Sequence, residues 1–138
     1  MRTRRQVMSH ALQRRRALES MRRPDLAFSG ENPCDADPML IRAALHHGAP
    51  AGQECPVCAS ERMLVLNYTF GDQLGQFSGR IKSREELEEM ETQFGEFTVR
   101  VVEVCPDCRW NLLIETYVLG DGRRRRPPRR QQTVEDIY

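Results

Sequence analysis

The feature that most constrains this chain is a pair of matched tetrapeptides, Cys55-Pro-Val-Cys58 and Cys105-Pro-Asp-Cys108, separated by 46 residues. In each, a turn brings the sulfurs of positions i and i+3 toward one centre, and Pro56 and Pro106 pre-set the backbone angle entering that turn. Two such turns supply four thiolates. That is the tetrahedral donor set of a structural Zn²⁺ site, with Zn–S near ~2.3 Å, and the metal stabilises the thiolates by lowering their pKa. The fold expected is therefore one in which the 46-residue spacer leaves the metal and returns to it.

Other chemistries fit these thiols less well. A redox-active Cys-x-x-Cys sits after a strand at a helix N-terminus. Here Cys105 and Cys108 lie between two strand-like runs, and Cys55 follows the loop-like segment GAPAGQE. A catalytic zinc needs an open coordination position, which four protein thiolates do not leave. Five cysteines in a chain without an export signal also disfavour a disulfide framework. The fifth, Cys34, reads as a half-buried small residue or free thiol. The adjacent His46 and His47 cannot point the same way from a helix and read as favourable partners of a helix C-terminus.

The spacer has the contents such a return requires. RMLVLNYTF alternates Leu64, Leu66, Tyr68 and Phe70 on one face and reads as a strand. GDQLGQFSG turns the chain. Ser83-Arg-Glu-Glu86 is a capping box opening a helix to about Phe94, with Gly95 as its stop and Leu87, Met90 and Phe94 as its apolar stripe. FTVRVVEV and WNLLIETYVL, flanking the second cysteine pair, read as two more strands. The expected architecture is α+β: a small zinc-ribbon-like antiparallel sheet of about three strands with a helical insertion. The metal would supply much of the folding energy, because three short strands are marginal alone.

Two helices are expected ahead of it. Thr3-Arg-Arg-Gln6 has a capping-box pattern, and Val7, Met8, Ala11, Leu12, Leu18 and Met21 recur near helical spacing among arginines. This predicts a basic amphipathic helix over about Arg4 to Met21, ended by Pro24. After a turn-rich linker, Asp37 as N-cap, Pro38 at the first helical position and Gly48 as a left-handed stop bound a short helix with Leu40, Ile41, Ala44 and Leu45 on one face. That face should pack on the zinc module or the first helix. The domain reading is residues 1–23 helix, 24–50 linker and short helix, 51–120 zinc-ribbon-like domain, and 121–138 a disordered Arg-rich tail.

Charge makes the ends stand apart from the middle. The formal net charge is only +1, yet residues 1–23 carry +7, residues 24–119 carry −9 and residues 120–138 carry +3. Such ends either bind an anionic partner or fold onto the acidic middle, and the sequence leaves both open. No apolar run approaches the roughly 20 residues of a membrane span, and the N-terminus lacks the apolar centre of a secretory signal, so a cytoplasmic location is expected. No phosphate-cradling loop, nucleophile elbow or paired acid and base emerges.

The opening MRTRRQV, the segment DADPMLIRAALHHG, the motifs CPVC and CPDCRWN, the tract GEFTVRVVEVC and the Arg-rich tail together resemble a family of small actinobacterial proteins catalogued as a domain of unknown function. The resemblance covers about residues 2–120 and is most specific in EFTVRVVEVCPDCRWN. It implies a bacterial cytoplasmic zinc-ribbon-like protein, with Cys55, Cys58, Cys105 and Cys108 matching the family's cysteine pairs. It implies no activity.

The leading expectation is a non-enzymatic adaptor with one structural Zn²⁺ that contacts nucleic acid or a nucleoprotein machine, RNA polymerase among them. Its contact residues would be Arg109, Trp110, Arg123, Arg124, Arg125, Arg126, Arg129 and Arg130. Trp110 has two readings, stacking on a base or partner, or packing over the cysteines. Arg109 either offsets the charge of a four-thiolate centre or meets a phosphate. The alternatives are a protein-interaction module acting through the first helix and a redox- or zinc-responsive regulator.

Overall fold

The structure is a computed structural model and describes residues 4–22 and 33–123. Its centre is three long strands, β3 (Leu64–Phe70), β5 (Phe97–Val104) and β6 (Asn111–Leu119), joined by three short ones, β1 (Arg5–Ser9), β2 (Ala49–Pro50) and β4 (Arg80–Ile81). They form one antiparallel sheet of order β1-β6-β5-β3-β2, with β4 also pairing with β3. Three α-helices, α1 (Ala11–Arg22), α2 (Pro38–His47) and α3 (Arg84–Gln93), and a 3-10 helix over Asp72–Phe77 complete the described residues. None of these helices is long and apolar enough to cross a membrane.

Residues directly opposite in antiparallel strands project to the same side, so the register sorts the sheet into two faces. Phe97, Val99, Val101 and Glu103 of β5 share the first face with Tyr117, Glu115 and Leu112 of β6. At one end of this face the capping box of α3 is formed, with the Ser83 hydroxyl accepting from Glu86 N–H and the Glu86 carboxylate accepting from Ser83 N–H. That fixes Leu87, Met90 and Phe94 against Phe97, Val99, Tyr117 and Leu119. At the other end Ala17, Leu18 and Met21 of α1 pack on the cysteines, Met63 and Trp110. On the second face Leu40, Ile41 and Ala44 of α2 pack on Leu64, Leu66, Val102 and Val104.

The three expected strands are present and longest; β2 and β4, of two residues each, carry no periodicity that could reveal them. The N-terminus departs further. The expected helix from Arg4 is a strand up to Ser9, paired with β6, and only then a helix. Gln6, the proposed capping residue, has φ 48° within a register shift of that strand, while Thr3 lies outside the described residues. Edge pairing with β6 satisfies backbone groups over Arg5–Ser9 that a first helical turn would leave unpaired. Val7 and Met8, read as part of an apolar helix stripe, are instead exposed.

α2 follows its signals, with Leu40 N–H donating to the Asp37 side chain at 2.9 Å. Gly48 ends it, but not in the left-handed region: its φ is −76°. The glycine is needed for space, because a Cβ there would lie 2.5 Å from the Ala44 carbonyl oxygen and 3.0 Å from the Leu64 Cβ. Leu45 points away and is exposed. The linker residues 23–32 and the tail residues 124–138 lie outside the described residues.

Candidate metal centre

Each cysteine pair closes the same backbone loop. Cys55 N–H donates to Ser60 O at 2.9 Å and Ala59 N–H to Cys55 O at 3.0 Å; Cys105 N–H donates to Trp110 O at 2.8 Å and Arg109 N–H to Cys105 O at 2.9 Å. In both loops the residue after the second cysteine takes a left-handed conformation, φ 63° at Ala59 and 68° at Arg109. Two identical knuckles thus face each other from opposite ends of the spacer.

The register explains why they meet. Leu64 pairs with Val104, so the chain leaving the first knuckle into β3 runs beside the chain entering the second from β5. Asp107 ties the knuckles together from outside, accepting from the Ser60 hydroxyl at 2.5 Å and from Arg62 at 3.0 Å. The sulfurs of Cys55, Cys58, Cys105 and Cys108 all lie within 4.8 Å of one another. Cys55 Sγ is 3.6 Å from Cys108 Sγ, and Cys58 Sγ is 3.6 Å from Cys105 Sγ. A tetrahedron with Zn–S of ~2.3 Å has edges of about 3.8 Å, so the donor set and its spacing fit a four-coordinate thiophilic ion. Cys55 and Cys105 are buried and Cys58 is exposed.

Burial pushes the Cys55 and Cys108 thiols up, whereas the Ser60 backbone N–H pulls Cys58 down. A dication would displace protons from the raised thiols, so metal binding is coupled to proton release. Cys34 is half-buried beside this cluster, its thiol pushed up chiefly by burial and hydrogen-bonded to Cys108, and it is not among the four converging sulfurs.

The residue beneath the site was not foreseen. Glu103 is 1% exposed; a single carboxylate oxygen accepts from the Trp110 indole N–H at 2.9 Å and from Arg14 Nε at 2.7 Å. Among the described residues this pairing ties α1 to β5 beside the cysteine cluster. The available signal was positional, since alternation along β5 places Glu103 on the same side as Phe97, Val99 and Val101.

Trp110 is completely buried, so it cannot stack on a base or anchor a partner; it takes the shielding role, packed with Cys55, Cys105 and Met63. Arg109 is exposed, with its Nε donating to Ala36 O at 2.7 Å and its carbonyl accepting from Ala36 N–H. Arg123 is exposed, and Arg124, Arg125, Arg126, Arg129 and Arg130 lie outside the described residues. His46 and His47 are exposed at the end of α2, away from the sulfurs. Part of the basic N-terminus folds onto the acidic middle: Arg4 pairs with Glu115 and lies over the Tyr117 ring, and Arg5 pairs with Glu96 at 3.5 Å.

These features define an α+β protein whose antiparallel sheet presents a four-cysteine cluster able to hold a metal ion. The chain belongs to the Family of unknown function (DUF5318), whose model matches residues 1–133. It is 43% identical over 126 residues to the uncharacterized protein Rv0049 of Mycobacterium tuberculosis, covering 88% of each chain. The same values hold for the uncharacterized protein Mb0050 of Mycobacterium bovis. No solved structure matches the chain.

Proposed function

We propose that this is a non-enzymatic adaptor of the cytoplasm, with one structural Zn²⁺ held by Cys55, Cys58, Cys105 and Cys108, which contacts nucleic acid or a nucleoprotein machine such as RNA polymerase. Zinc is favoured over other ions by the all-thiolate set, and a structural role by four protein thiolates, which fill a tetrahedral site. The ion would cross-link the two knuckles and contribute folding energy.

The observation that carries the partner reading is the segregation of charge between the helices. The five glutamates at 85, 86, 88, 89 and 91 belong to α3 at one end of the first face, whereas α1 at its other end carries Arg14, Arg15, Arg16 and Arg22 against Glu19. The second face carries Arg100, and the helix covering part of it, α2, contains Arg42 and no acid. A molecule polarised in this way meets an anionic surface in one orientation.

The test is binding of the zinc-loaded full chain to labelled oligonucleotides at rising salt. With the six tail arginines on phosphates, log affinity should fall against log salt with a slope near about −4 to −5. A slope near zero, or absence of binding at low salt, would refute the nucleic-acid reading.

A second reading is favoured by one surface. Val7, Met8 and Leu12, 54%, 59% and 51% exposed, crowd the free edge strand and the start of α1. Under that reading Leu12→Asp would abolish capture of a protein partner while leaving the oligonucleotide affinity unchanged.

A further inference from the structure

The arginines near the N-terminus fall into two groups. Arg4, Arg5 and Arg14 are folded onto acids of the sheet and of the loop before β5, pairing with Glu115, Glu96 and Glu103. Arg15, Arg16 and Arg22 of α1 are exposed, and among the described residues no carboxylate stands within ion-pair distance of them. Acids are not scarce, since residues 24–119 carry −9. The fold itself turns this second group to solvent.

Packing decides which arginines are left over. Ala17, Leu18 and Met21 lie on the cysteine cluster and Glu103 holds the Arg14 Nε at 2.7 Å, so α1 is fixed with one side down. Arg15, Glu19 and Arg22 follow one another at steps of four and three, with Arg16 beside them, and form the outward stripe. Arg15 and Arg22 stand about 10 Å apart along the helix axis. That matches three steps of a duplex strand at about 3.4 Å each. Glu19 is the one acid of α1, no aromatic residue occurs in it, and α3 with its five glutamates lies at the far end of the sheet's first face.

We infer that this outward stripe of α1 lies against the phosphate backbone of a nucleic-acid duplex, with Arg15, Arg16 and Arg22 each meeting a phosphate. This rests on the adaptor reading above and assigns it a surface and a strand type. The occupant follows from charge and rigidity. Guanidiniums carried on a fixed helix complement the regular array of duplex phosphates, and each can donate two N–H groups to phosphate oxygens. Single strands are held by stacking as well as by charge, and α1 offers no ring. Phosphate contacts carry no sequence information, so little base preference is expected. Repulsion from the glutamates of α3 keeps the duplex at the α1 end.

The experiment is fluorescence anisotropy of the zinc-loaded full chain with a short labelled DNA duplex, with oligo-thymidine of equal length and with labelled poly-glutamate. A triple variant, Arg15→Gln, Arg16→Gln and Arg22→Gln, removes the charges at exposed positions and keeps helix propensity. Glu19→Gln and Glu85→Gln change the net charge equally, one within the stripe and one on α3. Zinc content and circular dichroism establish that each variant is folded. The triple variant should weaken duplex binding at least about tenfold at about 50 mM salt, and should flatten the slope of log affinity against log salt by about 2.7, which is about 0.9 for each phosphate released. Glu19→Gln should tighten duplex binding about two- to threefold, with Glu85→Gln unchanged.

Duplex binding that is salt-dependent and indifferent to the triple variant would overturn this surface and leave the adaptor reading standing. Equal tightening by Glu19→Gln and Glu85→Gln would reduce the effect to net charge and also overturn it. Oligo-thymidine bound as tightly as the duplex would overturn the strand type. Poly-glutamate binding lost in the triple variant, with duplex affinity unchanged, would give the stripe to an acidic protein and overturn the proposal. No binding of duplex or oligo-thymidine at low salt would overturn this inference and the nucleic-acid reading together.

Discussion

The two ends of the sheet's first face are held by different physics. The α3 end buries eight residues, Leu74, Leu87, Met90, Phe94, Phe97, Val99, Tyr117 and Leu119, enough apolar surface to hold itself. Full burial of each such side chain contributes about 1.5–3 kcal/mol. Among the described residues the cysteine end fully buries only Cys55, Met63, Cys105 and Trp110, with Ala17, Leu18 and Met21 partly buried on them, and it places a carboxylate, Glu103, beside them. An apolar core of that size cannot offset the ordering of two knuckles and a helix, so the end depends on four thiolates and one buried ion pair. The difference teaches where the chain can afford to open: loss of metal should release the cysteine end first.

Removing the metal is the strongest way to break this comparison. Chelation, or Cys105→Ser, should erase hydrogen-exchange protection at the knuckle amides of Cys55, Ala59, Cys105 and Arg109, which are fixed only by the two loops. Amides of α3, such as Leu87 and Phe94, should keep most of theirs. Equal loss at both ends would mean that the sheet transmits the metal's contribution throughout and that the ends are one cooperative unit.

Glu103→Ala probes the same end without touching a thiol. It leaves Arg14 without its partner and the Trp110 indole N–H buried and unpaired, at a cost of about 3–5 kcal/mol. Denaturant unfolding of the zinc-loaded protein measures it. Leu87→Ala is the counterpart at the other end, where a cavity under α3 should cost about 2–5 kcal/mol. The sharpening lies in zinc retention. Glu103→Ala should weaken chelator resistance, whereas Leu87→Ala should lower stability with the metal held as before; if Leu87→Ala released zinc equally, the division between the ends would fail.

The same division separates what a reading of the residues reaches from what it misses. Local signals were sufficient for the cysteine pairs, whose ligands are three residues apart, and for α2 and α3, whose caps and stripes are contained within each helix. The long strands were legible from alternation. What was not legible depends on distant chain. Val7 and Met8 fit a helical stripe, and only pairing with β6, more than a hundred residues away, makes Arg5–Ser9 a strand. Trp110 carries no mark of its burial, because Met63 and Glu103 bury it from other elements. The alternation of Leu64, Leu66, Tyr68 and Phe70 reads as one uniform apolar face, yet the cluster under α2 takes in Leu64, Leu66 and Tyr68 and stops short of Phe70.

The smallest expected effect tests whether the α3 end owes anything to local order as well as to burial. Ser83 accepts from Glu86 N–H at 3.2 Å, and Glu86 accepts from Ser83 N–H at 2.9 Å, so the box satisfies two backbone donors at a helix start exposed to water. Ser83→Ala removes one of these bonds, and water replaces it in part, so the loss should be about 1 kcal/mol. The α3 end should then unfold at slightly lower denaturant with zinc content unchanged. Fraying should be confined to the first turn, because Leu87 and Met90 remain buried on Phe97 and Val99 regardless of the cap. A loss above about 3 kcal/mol would show that the helix is held mainly by its cap, and would remove the ground for calling this end self-sufficient through burial.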